Sequence, residues 1–201
     1  MNIIFLRHGE SFSNSMGTIA SDLEKDSHIN SLTALGRRQI HITARHLKNR
    51  FTMFNSKKIK IFSSPFMRTI ASSEIVSDIF PQSSLSLDYD LKERYFGPFD
   101  GKSASCYEEI WRNDRLGNNN PPRHSALIPE PLTSVRNRTA RFIKKINSAT
   151  DADLIIIVSH GDVLSVMATI ILKQELRRHR EVLPLANAEY RYFANLKIND
   201  L

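Results

Sequence analysis

The chain has 201 residues, a formal charge of +7 at neutral pH and 41% hydrophobic residues. Its 24% charged residues are ordinary for a globular chain, and 7 glycines with 8 prolines exclude collagen-like or linker-dominated sequences. The single cysteine, Cys106, cannot close an intrachain disulfide. The apolar start Met1 to Leu6 is too short for a signal core, and Val163 to Leu172 falls short of the roughly 20 residues of a bilayer span. A soluble cytoplasmic protein is therefore expected. The positive charge admits nucleic acid, anionic membrane or a small phosphorylated ligand as partner, and composition does not choose among them.

In chain order, Asn2 to Leu6 (NIIFL) reads as a first strand, followed at once by Arg7-His8-Gly9-Glu10. Leu35, Ile42 and Leu47 fall on a helical stripe after Thr33, a residue suited to an N-cap. Lys60 to Phe62 reads as a second strand. Ser63-Ser64-Pro65 then predicts a capped helix with proline at its first position, carrying Phe66, Ile70, Val76 and Ile79. Pro98 to Pro131 breaks the rhythm, and Gly117 to Pro131 holds four of the eight prolines. This segment is expected to be an irregular excursion over a site, not a second domain. Val135, Thr139, Phe142, Ile143 and Ile146 mark another helix, and Leu154 to Val158 (LIIIV) has the continuous apolar pattern of a central strand. Val163 to Ile171 carries a wide helical stripe, and Tyr190 to Ile198 alternates loosely, as a sheet edge does. Strands alternating with helices predict one α/β domain over residues 1–201. The expected form is a three-layer α/β/α sandwich on a mainly parallel, mixed sheet, with a small irregular cap at about 98–131.

Two histidines stand just past strands, in Arg7-His8-Gly9-Glu10 and in Ser159-His160-Gly161-Asp162. Ligands of open α/β sheets bind at the carboxyl ends of strands. Arg68, in Ser64-Pro65-Phe66-Met67-Arg68, follows a third strand near a helix N-terminus, which favours anions. Two arginines, two histidines and a helix end on one sheet edge describe a pocket for a dianion. The other histidines, His28, His41, His46, His124 and His179, show no metal-ligand spacing, so no metal and no cofactor are expected. Nucleic acid is disfavoured as a partner because basic residues are not interleaved with aromatics.

The ordered blocks Arg7-His8-Gly9-Glu10-Ser11, Asn14, Leu32-Thr33-Ala34-Leu35-Gly36, Ser64-Pro65 with Arg68, Leu91-Lys92-Glu93-Arg94 with Gly97, and Ser159-His160-Gly161 carry a resemblance. From Ile3 to about Leu196 the chain resembles the histidine phosphatase superfamily, in its phosphoglycerate-mutase-like branch. The resemblance implies His8 as a nucleophile that becomes phosphorylated, and Arg7, Arg68 and His160 as ligands of the phosphoryl oxygens. It places Asn14 at the rim and makes Glu93 the proton donor and then the base. The chemistry agrees: phosphoryl transfer needs an in-line nucleophile and fixed positive charge, and a leaving alkoxide needs a proton. In the alternatives, Glu93 pairs with Arg94 and Asn14 caps a local turn.

Two features depart from the family pattern. Asp162 follows His160-Gly161 where relatives often have a small or apolar residue; it serves either a helix N-terminus or a second proton transfer. Pro129-Glu130-Pro131-Leu132 stands where many relatives show Gly-Glu-Ser. The basic run Arg177-Arg178-His179-Arg180 reads as a solvated face, or as a contact for an acidic partner or a distal phosphate. The 67 residues from Glu93 to His160 are few for a mutase of this type and favour hydrolysis. The expectation is a phosphatase for a small phosphorylated substrate, with no nucleic-acid or membrane partner. A mutase-type transferase and a non-catalytic phospho-ligand binder are the alternatives. Monomer and homodimer, like the identity of the substrate, are left open.

Overall fold

The computed structural model describes residues 1–54, 57–117, 129–149 and 151–196. Five strands form one sheet: β1 (Ile3–Arg7), β2 (Ile59–Ser63), β3 (Ser83–Leu87), β4 (Leu154–Ser159) and β5 (Tyr190–Phe193), in the order β3-β2-β4-β1-β5. All neighbours are parallel except β5, which runs antiparallel to β1 at one edge. The helices are α1 (Phe12–Ser15), α2 (Ala34–Arg50), α3 (Met67–Ile79), α4 (Tyr107–Leu116), α5 (Leu132–Ala149), α6 (Gly161–Ile171) and α7 (His179–Val182).

Side-chain alternation divides the apolar strands between two cores. Ile4, Leu6, Ile61, Ile156 and Val158 pack with Ile40, Ala44 and Leu47 of α2 and Ile75 and Val76 of α3. Ile3, Phe5, Ile155 and Ile157 face the other way, onto Phe142, Ile143 and Ile146 of α5 and Leu164 and Met167 of α6. Every residue of β4 is buried, as its continuous apolar run predicts. Each of its isoleucines contributes roughly 1.5–3 kcal/mol by burial. The result is the expected three-layer sandwich.

Four local expectations change. β3 is an additional strand: its sequence SSLSL has too few apolar residues to read as one, and it survives as the partly exposed second edge of the sheet. In α2 the inward face is Gly36, Ile40, Ala44 and Leu47, while Leu35 and Ile42 are 52% and 60% exposed. Two small residues on this face let the helix come close, a signal that large apolar residues conceal. α3 begins at Met67, so Pro65 precedes the helix. Ser64 N–H instead bonds Val158 O at 3.0 Å, keeping the chain extended beyond the strand. Within the excursion, α4 is a regular helix closed by Gly117 in the left-handed conformation. Residues 118–128, which include most of the proline-rich stretch and His124, lie outside the described residues, as do the last positions of the expected Tyr190 to Ile198 strand. Among the described residues, no helix is long and apolar enough to cross a membrane.

Candidate active site

β1 and β4 lie side by side, and the helices that follow them, α2 and α6, cover opposite faces of the sheet. A crevice opens at such a reversal, beyond the strands' carboxyl ends. His8 and His160 are the first residues past β1 and β4, with ring centroids 5.3 Å apart. The loop carrying His8 rests directly on the first turn of α2. A β-carbon on Gly9 would come 2.4 Å from Gly36 O, and one on Gly36 would come 2.0 Å from Glu10 O. Both positions require glycine for that approach. Thr33 Oγ1 completes the join, donating to Glu10 Oε1 at 2.7 Å and accepting from Gly36 N–H.

The two imidazoles are held by opposite nitrogens. His8 Nδ1 lies 2.7 Å from Gly9 O, an acceptor only, so Nδ1 carries the hydrogen. The Nε2 lone pair then faces Arg68, whose Nε–H donates to it at 3.2 Å. His160 Nε2 instead meets Ser64 Oγ at 2.7 Å, while Nδ1 lies 3.5 Å from Glu93 Oε2. Burial, with the charges of Arg68 and Arg7, holds the protonation of His8 well below the ordinary histidine range. Burial and Arg68 do the same for His160. Both rings are neutral at physiological pH.

Arg68 is buried, with Cζ 4.5 Å over the Phe66 ring and Nη2 donating to Ala20 O at 3.0 Å. Arg7 donates from Nη1 to Leu185 O at 2.8 Å. Three buried nitrogens, Arg7 Nε, Arg68 Nη1 and His160 Nδ1, have no hydrogen-bond partner among the described residues. An unsatisfied buried donor costs roughly 1–3 kcal/mol, so three around one crevice fit a compact anion with several oxygens. Among the described residues, no three His, Cys, Asp or Glu side chains are grouped as a metal site would group them.

Glu93 stands beside this cluster, its Oε2 3.7 Å from Arg68 Nη2 and its Oε1 accepting Arg94 N–H at 2.9 Å. Burial, reinforced by the negative charge of Asp162 and opposed by Arg68, pushes its carboxyl up to about 7. Glu93 is not the ion-pair partner of Arg94. That guanidinium is fully buried and forks onto Asp114 at 2.6 and 2.9 Å, reaches Asp162 at 3.3 Å, and donates from Nε to Glu130 O. Asn14 both caps and lines. Its Oδ1 accepts from Ser11 N–H and from Asn187 Nδ2, and its side chain borders the cavity.

The cavity is about 200 Å³, and Tyr107, Trp111 and Arg180 border it along with His8, Arg7, Arg68 and Glu93. A larger cleft of about 370 Å³, between Gly117, Leu132 and Leu176, contains none of the histidine-centred groups.

A sequence profile of the histidine phosphatase superfamily (branch 1) matches residues 3–194. The chain belongs to that superfamily, and its enzyme class is phosphomonoesterase. It is 27% identical to a candidate phosphoserine phosphatase of Hydrogenobacter thermophilus over 84% of this chain and 77% of that one. It is 29% identical to a 2,3-bisphosphoglycerate-dependent phosphoglycerate mutase of Latilactobacillus sakei, over 70% of this chain but 55% of the mutase. Among solved structures, Entamoeba histolytica phosphoserine phosphatase with 3-phosphoglyceric acid superposes with a TM-score of 0.72 at 22% identity, over 96% and 89% of the chains. A mycobacterial glucosyl-3-phosphoglycerate phosphatase gives 0.75 at 18%, over 95% and 91%. These structural likenesses concern the fold.

Within this histidine phosphatase, all six expected site residues converge: His8, Arg7, Asn14, Arg68 and Glu93 border the cavity, and His160 packs edge-on against His8. Asp162 stands in the first turn of α6, the helix N-terminus expected of it, and it also reaches the cavity wall. Its Oδ1 accepts from Trp111 Nε1 at 3.0 Å, and Arg94 and Arg180 flank it at 3.3 and 3.4 Å. Despite burial, its contacts with His179, Arg94 and Arg180 hold its carboxyl below the usual range. It is a fixed anion and carries no proton. Glu130 is spent on Arg138, at 3.0 and 3.1 Å, and on Ser134. Ser64, Tyr107 and Trp111 escaped sequence reading as site members. The one available signal was that Trp111 is the only tryptophan in the chain.

Proposed function

We propose that this enzyme hydrolyses a small phosphomonoester through a phosphohistidine on His8. The observation that carries the reading is the His8 ring itself. Its Nδ1 hydrogen is committed to Gly9 O, and its Nε2 lone pair is turned to a crevice lined by two arginines. In the first step Nε2 attacks phosphorus and the bond from phosphorus to the ester oxygen breaks. Protonated Glu93 gives its proton to that oxygen, so an alcohol leaves. The positive charge that develops on the imidazole is stabilised at Nδ1 by the Gly9 carbonyl. Arg7 and Arg68 hold the equatorial oxygens, and His160 adds an N–H from Nδ1 if Ser64 donates to its Nε2. In the second step ionised Glu93 takes a proton from water, the water oxygen attacks phosphorus, and the P–Nε2 bond returns its electron pair to the ring.

A neutral carboxyl near pH 7 suits the first step, and its burial supplies that state. Hydrolysis is preferred to transfer between substrates because only 67 residues separate Glu93 from His160, and because the matched mutase is substantially longer than this chain. The likeness to enzymes named for phosphoserine and phosphoglycerate supports a small metabolite as substrate.

The test is a hydrolysis screen over phosphorylated metabolites, with phosphoglycerate mutase activity assayed in parallel, on wild type and His8→Ala. Phosphate release that falls by roughly 10⁴-fold or more in His8→Ala supports the reading. Full activity in that variant, or isomerisation without phosphate release in the wild type, refutes it.

A further inference from the structure

The basic run Arg177 to Arg180 does not behave as one surface. Arg177 pairs with Glu175 and Arg178 with Glu181, and both side chains are at least 60% exposed. Arg180 turns inward instead, is 23% exposed, and borders the same cavity as His8. Its guanidinium lies over the indole of Trp111, Cζ 4.0 Å from the ring centroid. Trp111 is itself stacked on Tyr107, at 5.0 Å and 8°, and anchored through Nε1 to Asp162. A guanidinium laid on an aromatic face keeps its N–H donors directed outward in its own plane. Asp162 Oδ1 takes one of them, from Nη1 at 3.4 Å. The Nε and Nη2 donors have no acceptor among the described residues.

This fork stands close to the phosphoryl end of the cavity. A β-carbon on Gly161 would contact Arg7 Cζ at 3.5 Å and Arg180 Nη1 at 3.6 Å, so the two guanidiniums flank one glycine. Burial lowers the proton affinity of Arg7, and the charge of Arg180 lowers it further. At about 200 Å³ the cavity has room for a short carbon skeleton between two such groups.

We infer that Arg180, laid on Trp111 and tethered by Asp162, is a specificity residue that binds a second anionic group of the substrate. The preferred class is then a short phosphomonoester carrying a carboxylate or a second phosphate a few atoms from the reacting phosphorus. The inference rests on the phosphomonoesterase reading of the same cavity. Asp162, already held by Arg94 and Trp111, supplies the fixed counter-charge that holds the cation over the indole.

The experiment measures kcat/KM for three short esters: glycerol 3-phosphate, with no second anion; 3-phosphoglycerate, with a carboxylate; and 2,3-bisphosphoglycerate, with a second phosphate. Wild type is expected to favour at least one acidic ester over the neutral one, and the favoured arm identifies which anion is read. In Arg180→Ala that preference ratio should fall by roughly ten- to a hundredfold, the scale of a lost charge-assisted hydrogen bond. Arg180→Lys, which keeps the charge and loses the planar fork, should give an intermediate ratio and covers the case in which the alanine variant fails to fold. Equal losses on all three esters would overturn the inference and assign Arg180 to the phosphoryl group. Wild-type hydrolysis of all three with equal efficiency would overturn it while leaving the phosphatase reading intact. Absence of hydrolysis of any phosphomonoester would refute the phosphatase reading, and the inference with it.

Discussion

The cavity has two halves built by different means. The phosphoryl half hangs from strand ends: His8 follows β1 and Arg68 lies on the helix after β2, and His160, Ser64 and Phe66 support them from behind. The opposite wall, Tyr107, Trp111 and Arg180, comes from α4 and α7, short elements outside the sheet. A buried ion network centred on Asp162 joins them, with Arg94 reaching Asp114 on α4 and Asp162 at the start of α6. The reacting geometry is thus set by sheet packing, while the opposite wall depends on a few buried charges.

After His8, the first half breaks most severely at Glu93. Glu93→Gln should lower kcat on alkyl phosphates by roughly 10²–10⁴-fold, the usual worth of a positioned acid. The loss on p-nitrophenyl phosphate should be much smaller, because that leaving group departs without a proton. Steady-state kinetics on both substrates check this, and equal losses argue against proton donation.

The joint between the halves is tested at Arg94. Arg94→Ala removes the guanidinium that two buried carboxylates, Asp114 and Asp162, share, and should cost about 3–5 kcal/mol in urea unfolding. A change under 1 kcal/mol would show that the network carries little of the wall's stability. The seat of the His8 loop is tested at Gly36. An added methyl would meet Glu10 O, so Gly36→Ala should destabilise by about 1–3 kcal/mol and lower activity together with stability.

The smallest effect is electrostatic. The negative charge of Asp162 helps hold Glu93 protonated to about pH 7, so kcat/KM should fall as pH rises through that region. Asp162→Asn removes the charge, favours ionised Glu93 and loses the acid form at lower pH. The alkaline limb of the pH profile should therefore move downward. An unmoved limb would separate Asp162 from the acid's titration.

The same contrast explains what the sequence reveals. His8, His160 and Arg68 follow recognisable strands in short motifs, so the phosphoryl half was legible, as was the central strand Leu154 to Ser159. The wall was not legible, because Trp111 and Arg180 are 69 residues apart in the chain and meet only through the tertiary fold. Asp162 stood in plain view beside His160, yet its partners Trp111, Arg94 and Arg180 come from three other parts of the chain. β3 stayed hidden because an edge strand can be built from serine, and the inward face of α2 because Gly36 and Ala44 pack by being small.

The central claim is a covalent phosphohistidine, and rapid quench under alkaline conditions tests it most directly. Wild-type enzyme mixed with a hydrolysed phosphomonoester, then digested and analysed by mass spectrometry, should show acid-labile phosphate on the peptide containing His8 within the first turnover. Glu93→Gln should retain that label longer, since it lacks the base for water. Turnover at full rate with no phosphate on His8 at any time point would contradict the account.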